Sequence, residues 1–339
     1  MTRSEARIRV LVADDSELFR DVLSRVIAAE PGFEVVATAA DGNEAARLAR
    51  TLRPDVITMD LNMPDADGFS GIARIMAETP TPILVLTVAR EEMVGFRALS
   101  LGALDILEKP SPASNLDDYG VLLRSRLRLL AGVKVIRHLR GLRNRRAPEA
   151  RPVARTELVA IGASLGGPRA LAALLRALPA GFPAPIVVVQ HIADGFTEGL
   201  ANWLGQESQL EVREARDRDA LRPGLALLAP TGRHLVVSKG MAHLSDAPPL
   251  DGFRPSVTPL FRSTAETYGS RACGVILTGM GRDGAEGLKA LKKAGGHTIA
   301  QDEGTSAVFG MPRAAIETGA VDQVLPLDDI ARALAELVG

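Results

Sequence analysis

Ser164 stands in a short glycine-rich turn whose residue types and spacing would suit a nucleophile. The apolar run 158–163 leads into the sequence Gly162-Ala-Ser164-Leu-Gly166, and an alanine- and leucine-rich helical pattern follows directly. Small residues on both sides let a chain turn sharply from strand to helix, which exposes the hydroxyl and directs backbone N–H groups at the atom under attack. A structural turn or a phosphate-binding loop at a helix N-terminus fits the pattern equally well. The assignment of Ser164 therefore depends on whether partners exist.

His191 is the histidine best placed to serve as the base for Ser164. A serine hydrolase needs a base within hydrogen-bond reach of its nucleophile. His191 follows the apolar run 186–190, so we expect it at the sheet edge that carries Ser164, whereas His297 opens a strand after two glycines and is expected at the opposite edge. The other histidines are expected to be surface or packing residues, and they are His138, His234 and His243.

Asp283 is the candidate carboxylate that would orient this base. It lies in the glycine-rich turn 279–284, after a strand pattern and before a helical one. An Asp at a helix start is also a common N-cap, so that role stays open at this point. The same turn supplies the backbone N–H of Met280, and the nucleophile turn supplies that of Leu165. Both N–H groups are candidates for an oxyanion hole.

A second group of candidate residues lies in the N-terminal half. Asp14 and Asp15 follow the first predicted strand and Asp60 follows the third, while Thr87 and Lys109 follow the fourth and fifth. Carboxyl ends of parallel strands share one edge of a sheet, so the three carboxylates are expected to converge there. Helix caps and turn acids would explain one of these acids but not the set. A bound divalent cation would offset the repulsion, and oxygen ligands with a phosphate partner favour Mg²⁺.

The elements that must position these residues alternate along the chain. Short β-branched runs between helical patterns predict the α/β class with parallel, doubly wound sheets. The predicted strands are 8–12, 34–38, 56–59, 83–86 and 103–107, then 158–163, 185–190, 225–229, 272–278 and 297–301. The main predicted helices are 17–28, 43–50, 168–177, 259–268 and 284–294. Runs 235–238 and 241–245 predict an antiparallel hairpin, so the C-terminal sheet is expected to be mixed.

Length and composition predict two domains and exclude several function classes. A chain of 339 residues exceeds one typical core, and a formal net charge of −1 gives no field that would recruit nucleic acid or a membrane. One cysteine excludes an intramolecular disulfide and fits a reducing compartment. No long apolar segment follows the N-terminus, so we expect a cytoplasmic protein without membrane insertion. No heptad seam requires an oligomer, and a monomer is expected.

A basic stretch separates the two halves. Positions 119–148 contain no acidic residue, while lysine and arginine accumulate. The simplest interpretation is a helix with a solvated basic face that continues into a flexible linker. A recruitment surface for an acidic partner or a membrane is the alternative, and nucleic-acid binding ranks last because no aromatic platform accompanies the charge. The basic residues are Arg124, Arg126, Arg128, Lys134, Arg137, Arg140, Arg143, Arg145 and Arg146.

The N-terminal half resembles the receiver domain of bacterial response regulators. The motifs that carry the resemblance are Ala13-Asp14-Asp15-Ser16, Met59-Asp60-Leu61-Asn62-Met63-Pro64, Asp67-Gly68, Thr87 and Glu108-Lys109-Pro110. The resemblance implies that Asp60 accepts a phosphoryl group. It also implies that Asp14, Asp15 and the backbone carbonyl of Asn62 organise Mg²⁺ together with Asp60.

The same resemblance gives roles to two further residues and shows one departure. Thr87 and Lys109 would contact the phosphoryl oxygens, as a hydroxyl donor and an ammonium point charge. Ile106 stands where receivers usually carry an aromatic switch residue. The phosphorylation chemistry does not depend on that position, but coupling through an aromatic switch does.

The C-terminal half resembles the catalytic domain of the protein-glutamate methylesterase family of bacterial chemotaxis. The chain order Ser164, His191, Asp283 differs from the Ser, Asp, His order of α/β-hydrolases, which argues against the commonest owners of a GxSxG motif. The matching motifs are Ile161-Gly-Ala-Ser164-Leu-Gly-Gly, Gln190-His191, Gly195-Phe196-Thr197, Ala229-Pro-Thr-Gly-Arg-His234-Leu, Arg254-Pro-Ser256-Val, Leu260-Phe261, Leu277-Thr-Gly-Met280-Gly-Arg-Asp283-Gly and Phe309-Gly-Met-Pro312-Arg313. Leu165 replaces a usual Thr and would alter the pocket rim or rate, and Thr258 stands where an acid is common.

Together the resemblances imply a domain map and an activity. They imply a flavodoxin-like (βα)5 receiver at 1–128, a basic linker at 129–154 and a doubly wound, mostly parallel methylesterase domain with an antiparallel hairpin at 155–339. The enzyme would hydrolyse glutamate γ-methyl esters of methyl-accepting chemotaxis receptors, release methanol and deamidate specific receptor glutamines. A chemotaxis histidine kinase would phosphorylate Asp60, and phosphorylation would relieve partial coverage of the active site by the receiver.

Two other functions fit parts of the pattern. One is an esterase of the same architecture that acts on a different protein or a small ester. The other is a phosphorylation-controlled binding module with an inactive hydrolase domain, against which the complete set of Ser164, His191 and Asp283 argues.

Overall fold

The computed structural model of the protein describes residues 7–63, 68–88, 92–111, 114–133 and 155–339. The chain divides into two compact units, with the division between Arg140 and Gly141. Most of the predicted linker, including its arginines from Arg137 onward and His138, lies outside the described residues. The boundaries 1–128, 129–154 and 155–339 therefore stay a prediction.

The N-terminal unit is a five-stranded parallel sheet with the order β2-β1-β3-β4-β5. Its strands are β1 (Ile8–Ala13), β2 (Phe33–Ala39), β3 (Val56–Asp60), β4 (Ile83–Thr87) and β5 (Asp105–Glu108). Its helices are α1 (Glu17–Ala28), α2 (Gly42–Leu52), α3 (Gly68–Glu78), α4 (Glu92–Ser100) and α5 (Leu116–Ala131). This is the flavodoxin-like order, and the predicted (βα)5 fold is confirmed.

The local sequence explains how these elements present the acidic residues. Strands β3 and β4 are buried along their whole length, as the apolar runs predict for the centre of a parallel sheet. The Ser16 side chain caps α1 by accepting a hydrogen bond from the Phe19 N–H (3.3 Å). Because β1 ends and α1 begins within four residues, Asp14 and Asp15 are held in the intervening turn at the carboxyl edge of the sheet.

Three arginines of the basic stretch lie in α5 and are paired within this unit. Arg126 contacts Asp105 at 2.9 Å and Arg124 contacts Glu30 at 3.3 Å. Arg128 also contacts Glu30. Only Arg128 is well exposed, whereas the side chains of Arg124 and Arg126 are 16% and 28% exposed, so this part of the stretch packs on the N-terminal unit more than a solvated basic face would.

The C-terminal unit contains a seven-stranded sheet with the order β15-β14-β13-β6-β7-β10-β8. The strands of this unit are β6 (Leu158–Ala163), β7 (Ile186–Gln190), β8 (Glu211–Glu214), β9 (Asp219–Ala220), β10 (Leu225–Leu228), β11 (His234–Ser238), β12 (Met241–Ser245), β13 (Ala272–Ile276), β14 (His297–Gln301) and β15 (Gln323–Leu325). Its helices are α6 (Gly167–Ala177), α7 (Thr197–Glu207), α8 (Val257–Tyr268), α9 (Ala285–Lys293), α10 (Met311–Glu317) and α11 (Leu327–Val338).

The prediction that this sheet is mixed is wrong. Every strand pairing within the seven-stranded sheet is parallel. The predicted hairpin exists as β11 and β12, but it belongs to a separate three-stranded antiparallel sheet in which β12 also pairs with β9. Strand β9 has only two residues and no apolar alternation. The sequence therefore did not reveal that the hairpin pairs with β9 instead of joining the large sheet.

The positions of these strands decide where functional residues collect. Strands β6, β7 and β13 are buried along their whole length and lie at the centre of the sheet. The chain proceeds from β6 through β7 in one direction and reaches β13 on the other side of β6. In open α/β sheets, such a reversal of strand order leaves a crevice at the carboxyl ends of the two strands. Within the described residues, no helix is long and apolar enough to cross a membrane.

Candidate active site and receiver site

The sheet brings Ser164 and His191 to neighbouring positions. Ser164 follows β6 and His191 follows β7, and the parallel register of these strands pairs Ala163 with Gln190. The His191 N–H continues the ladder by donating to the Ala163 carbonyl (3.0 Å). The expected common sheet edge is therefore present, while His297 begins β14 at the opposite edge.

The backbone of Ser164 is held from three sides. Its N–H donates to the Thr278 carbonyl (3.0 Å), which ties the nucleophile turn to the segment after β13. Its carbonyl accepts from the Gly167 N–H (2.8 Å) and from Nε2 of Gln190 (2.7 Å). The Gln190 Nε2 also donates to the carbonyl of His191 (2.8 Å). Ser164 and the candidate base thus share one buried amide as a common support.

Gly279 lets the Asp283 turn pass against the nucleophile. A Cβ atom at this position would lie 2.4 Å from the Met311 sulfur and 2.8 Å from the Ser164 Cβ. Both separations are shorter than van der Waals contact, so a larger residue would push the two turns apart. The glycine-rich composition of this turn is explained by the close approach of backbone to Ser164.

His191 is hydrogen-bonded to Asp283 through one ring nitrogen. The distance between Nε2 of His191 and Oδ2 of Asp283 is 2.9 Å. An ionised carboxylate only accepts hydrogen bonds, so Nε2 carries the proton and the lone pair of the neutral ring lies on Nδ1. Nδ1 is buried and has no hydrogen-bond partner among the described residues.

The structure thus joins base and carboxylate, but it shows no hydrogen bond from the Ser164 hydroxyl to His191 within residues 155–339. Nδ1 is nevertheless the ring nitrogen left free to accept that proton. His191 follows β7, and the neighbouring strand β6 leads into the turn that carries Ser164. In free hydrolases this contact is often long and shortens when substrate binds.

Asp283 is fixed by more hydrogen bonds than a mere helix cap would need. The N-cap of α9 is Gly284, so Asp283 does not cap the helix that follows it. Its carboxylate instead lies at the N-terminus of α8, where it accepts from the N–H groups of Val257 (2.7 Å) and Thr258 (3.1 Å). The hydroxyls of Ser256 (2.7 Å) and Thr258 (2.9 Å) also donate to it.

These contacts decide the ionisation of Asp283. Burial on its own would raise the pKa of this carboxyl, but the hydrogen bonds and charge of His191, with the donors Ser256 and Val257, lower the pKa to about 2. The positive end of the α8 dipole acts in the same direction. Asp283 is therefore a permanent anion at physiological pH and can hold the His191 ring in one tautomer.

We expect Ser256→Ala to destabilise the C-terminal unit by about 1–3 kcal/mol at pH 7, because it removes the α8 cap and a donor to a buried carboxylate. A carboxyl with a lowered folded-state pKa stabilises the fold above its unfolded pKa, and this contribution disappears as the pH falls through the folded value. Loss of Ser256 raises the folded pKa of Asp283 from about 2. The difference from wild type should therefore shrink between about pH 4 and pH 2.

Urea unfolding followed by the fluorescence of the single tryptophan, Trp203 in α7, measures this difference in the relevant unit. Ser270→Ala, an exposed serine at the opposite sheet edge, is the matched control. A Ser256→Ala effect that is unchanged from pH 7 to pH 3 would contradict the proposed link to the Asp283 carboxylate.

The two predicted oxyanion donors belong to the two turns that meet at Ser164. Leu165 follows the nucleophile directly, and its carbonyl accepts from the Thr278 hydroxyl (2.9 Å). Leu165 is only 4% exposed. The leucine that replaces the usual threonine therefore packs inside the turn, rather than at an open pocket rim as the sequence suggested. The Met280 side chain is 46% exposed and follows Gly279 in the turn that touches Ser164. The role of both N–H groups stays a prediction.

His234 and His243 behave as the sequence predicted. His234 is buried, and its Nδ1 accepts from the Ser256 N–H (3.1 Å) while Nε2 lies 3.1 Å from the Pro248 carbonyl. His243 lies 3.7 Å from Asp217 on the small sheet. His234 thus supports the N-terminus of α8 without reaching the reacting groups.

Several supporting residues had no role assigned from the sequence. Gln190, Thr278 and Thr258 bind backbone or carboxylate groups of the site, and Phe253 stacks on the ring of His191. Ser256 before a helical pattern is an N-cap signal that could have been recognised. Phe253 gave no signal, because a loop residue that packs across the fold follows no period.

The receiver carboxylates converge as predicted. Oxygen atoms of Asp14, Asp15 and Asp60 lie within 4.8 Å of one another at the carboxyl edge of β1 and β3. The Lys109 ammonium lies 2.7 Å from Asp14 and 2.9 Å from Asp60. The Thr87 hydroxyl is buried and lacks a hydrogen-bond partner within the part of the chain that the structure describes.

Electrostatics at this cluster favour a cation. Burial raises the pKa of Asp14 above its ordinary value, although Lys109 acts to lower it. Burial alone would lower the pKa of Lys109, but its hydrogen bonds to Asp14 and Asp60 and their charges raise it. The pocket therefore contains more negative charge than Lys109 compensates, and its all-oxygen ligand set is consistent with a Mg²⁺ site.

Ile106 is buried beneath α4. A Cβ atom on Gly95 of α4 would lie 3.0 Å from Cδ1 of Ile106, so the isoleucine already fills the space against the helix backbone. Ile106 is not a side chain that can alternate between exposed and buried rotamers without leaving a void there. Ile106 therefore lacks both the aromatic ring and the room to move that an aromatic switch residue uses.

Comparison with known proteins decides the family. Residues 159–334 match the CheB methylesterase family, and residues 10–119 match the response regulator receiver domain. The chain is 74% identical over 330 residues to "Protein-glutamate methylesterase/protein-glutamine glutaminase 2" of Anaeromyxobacter dehalogenans (strain 2CP-C), covering 97% of each protein. The chain belongs to the CheB methylesterase family.

Other relatives of this CheB-family protein agree. It is 46% identical over 338 residues to "Protein-glutamate methylesterase/protein-glutamine glutaminase 4" of Myxococcus xanthus (strain DK1622), with 96% of each protein covered. The crystal structure of the Thermotoga maritima CheB methylesterase catalytic domain is matched over its whole length and over 55% of this chain, at 43% identity and a TM-score of 0.53. The predicted class, a protein-glutamate methylesterase/glutaminase with a receiver domain, is confirmed.

Proposed function

We propose that this CheB-family enzyme hydrolyses glutamate γ-methyl esters through a Ser164–His191–Asp283 triad. The observation that carries the proposal is the 2.9 Å bond between His191 Nε2 and Asp283, which leaves the buried Nδ1 of the same ring without a partner among the described residues. An imidazole held in this way can accept one proton at Nδ1 while the carboxylate stabilises the cation that forms.

The reaction then has two halves. Nδ1 of His191 takes the proton from the Ser164 hydroxyl as Oγ bonds to the ester carbonyl carbon. The N–H groups of Leu165 and Met280 stabilise the resulting oxyanion. The imidazolium returns its proton to the methoxy oxygen, which leaves as methanol, and an acyl-enzyme remains. Water repeats the sequence at the acyl carbon and releases glutamate and free Ser164.

Deamidation of glutamine uses the same groups. The leaving atom is the amide nitrogen, which receives the proton from His191 and departs as ammonia. Because an amide is a poorer electrophile with a poorer leaving group than a methyl ester, protonation by the imidazolium matters more for this reaction. The substrates in both cases are the cytoplasmic helices of methyl-accepting chemotaxis receptors.

The receiver would control this activity through Asp60. A chemotaxis histidine kinase would transfer a phosphoryl group to this carboxylate, and Thr87 and Lys109 would contact the phosphoryl oxygens. Their placement supports these roles, since Lys109 already bridges Asp14 and Asp60 and the Thr87 hydroxyl is unpartnered among the described residues. Phosphorylation would then shift the population between two arrangements of the domains toward one with an accessible active site.

Mg²⁺ fits the donor set beside Asp60. Asp14, Asp15 and Asp60 with the backbone carbonyl of Asn62 would hold the ion, and the ion would neutralise the phosphate charge. The protein groups contribute the fixed positions of these ligands. The Asp14 carboxylate is oriented by the Ser16 N–H (3.0 Å), and the Asp60 carboxylate by the Leu61 N–H (2.8 Å).

We expect Asp60→Asn to keep basal methanol release and to lose its stimulation by a small phosphodonor, because an amide cannot accept the phosphoryl group. Methanol released from methylated receptor fragments, measured with and without acetyl phosphate and Mg²⁺, gives both values. Asp41→Asn is the matched control, since Asp41 caps α2 in the same unit and Asn caps equally well.

Stimulation that survives in Asp60→Asn would remove Asp60 as the regulatory acceptor. A generic methyl ester measured in parallel separates the receptor methylesterase from a broader esterase. Equal kcat/KM for both substrates would favour the broader esterase.

A further inference from the structure

Phe253 closes a tight turn beside the active site. The N–H of Leu250 donates to the Phe253 carbonyl (3.0 Å), and the Phe253 N–H donates back to Leu250 (2.9 Å). The two residues between them, Asp251 and Gly252, have φ angles of 51° and 84°. Two consecutive positive φ values with reciprocal hydrogen bonds describe a two-residue hairpin turn, which is a stiff connection. The turn therefore holds Phe253 in a defined place.

The ring of Phe253 lies flat on the imidazole of His191. The ring centroids are 4.2 Å apart and the planes differ by 5°. Phe253 is 37% exposed, so its ring is not enclosed in the hydrophobic core. Burial in a hydrophobic core does not explain this side chain, whereas contact with His191 does.

The hydrogen bond of His191 to Asp283 leaves the imidazole ring free to tilt, and the stacked Phe253 ring opposes that tilt. The bond from Nε2 to Asp283 fixes one edge of the ring, but the ring can still tilt about that edge. Any tilt would move Nδ1, the atom proposed to accept the Ser164 proton. A flat aromatic neighbour on the ring face opposes this tilt, and no hydrogen bond to Nδ1 from the described residues does so.

We propose that Phe253 is a positioning residue for His191, holding the imidazole in the plane in which Nε2 meets Asp283 and Nδ1 meets the Ser164 hydroxyl. The inference rests on the proposed role of His191 as the base. Phe253 acts through His191, on whose ring it stacks.

The stack also suits the charge that His191 acquires during turnover. The face of an aromatic ring is electron-rich and attracts a cation that lies over it. When His191 takes the proton of Ser164, the resulting imidazolium lies over the Phe253 face at the same 4.2 Å separation. This attraction is larger for the cation than for the neutral ring, so it lowers the barrier rather than strengthening substrate binding.

The test compares Phe253→Leu with Phe253→Tyr in the full-length protein. Leucine keeps an apolar side chain but removes the flat ring, and tyrosine keeps the ring. We expect Phe253→Leu to lower kcat for methylated receptor fragments about five- to tenfold with KM within about twofold, and Phe253→Tyr to restore most of kcat. Val324→Ala is the control, because Val324 is an exposed apolar residue on the edge strand β15.

A second readout follows the base directly. A small alkyl fluorophosphonate labels Ser164 only as fast as the base removes the serine proton. The labelling rate should therefore fall in Phe253→Leu in parallel with kcat. Trp203 fluorescence during urea unfolding checks the fold, and Phe253→Met replaces the leucine variant if that variant unfolds at lower urea than wild type.

A raised KM with unchanged kcat would overturn the proposal, since Phe253 would then be a substrate contact. Unchanged labelling in Phe253→Leu would overturn it as well. Wild-type protein that is not labelled at Ser164, or His191→Ala protein that keeps full activity, would instead defeat the proposed triad. The two failures are therefore distinguishable.

Discussion

Ser164→Ala is expected to reduce methanol release about 10⁴- to 10⁶-fold, because the substitution removes the atom that forms the acyl-enzyme. Phosphorylation of Asp60 should persist, since the acceptor lies in the other unit of the chain. Methanol release and phosphate incorporation are measured on the same sample. Ser270→Ala should match wild type in both.

Residual activity within tenfold of wild type in Ser164→Ala would rule out this serine as the nucleophile. Loss of both activities together would indicate a folding defect, which Trp203 fluorescence detects. The Ser164 side chain makes no hydrogen bond to another residue within 155–339, so its removal is expected to change stability little.

Asp283→Asn is expected to lower kcat about 10³- to 10⁴-fold. The carboxylate accepts from Nε2 of His191, whereas an amide nitrogen at Oδ2 would donate to Nε2 and move the ring proton to Nδ1. His191 would then present a donor to Ser164 and could not accept its proton. The Asp283 pKa of about 2 means that this loss should be the same at pH 6 and pH 9.

The measurement is kcat for a methylated receptor fragment at both pH values. Asp302→Asn is the control, because Asp302 follows β14 at the same sheet edge and its carboxylate accepts hydrogen bonds from Thr305 rather than from His191. A loss that shrinks steadily with falling pH would mean that the Asp283 carboxyl of wild type becomes protonated in this range. That outcome would contradict its assignment as a permanent anion.

The parts of the fold that carry the proposed triad could be predicted from the sequence. Strands β6, β7 and β13 are short and almost wholly apolar, and that pattern is typical of the buried centre of a parallel sheet. Since residues that follow such strands collect at one edge, the strand pattern alone was enough to predict that Ser164 and His191 lie together.

The parts that could not be predicted depend on contacts between distant segments. Alternation along 235–245 indicated a hairpin, but it did not indicate which sheet the hairpin joins, because β9 is too short to give a pattern. For Asp283 the sequence predicted the contact with His191 but left open a cap of the next helix. It did not indicate that the carboxylate lies at the start of α8, which precedes Asp283 in the chain.

The shared amide of Gln190 implies that the nucleophile and the base move as one body. Its Nε2 donates to the carbonyls of both Ser164 and His191, so a displacement of either turn is transmitted to the other. Thermal motion of the two backbone segments should therefore be correlated, and the separation between the Cα atoms of Ser164 and His191 should vary less than the position of either atom. The shared amide thus holds the two turns together, while the tilt of the imidazole depends on the contacts of its own ring.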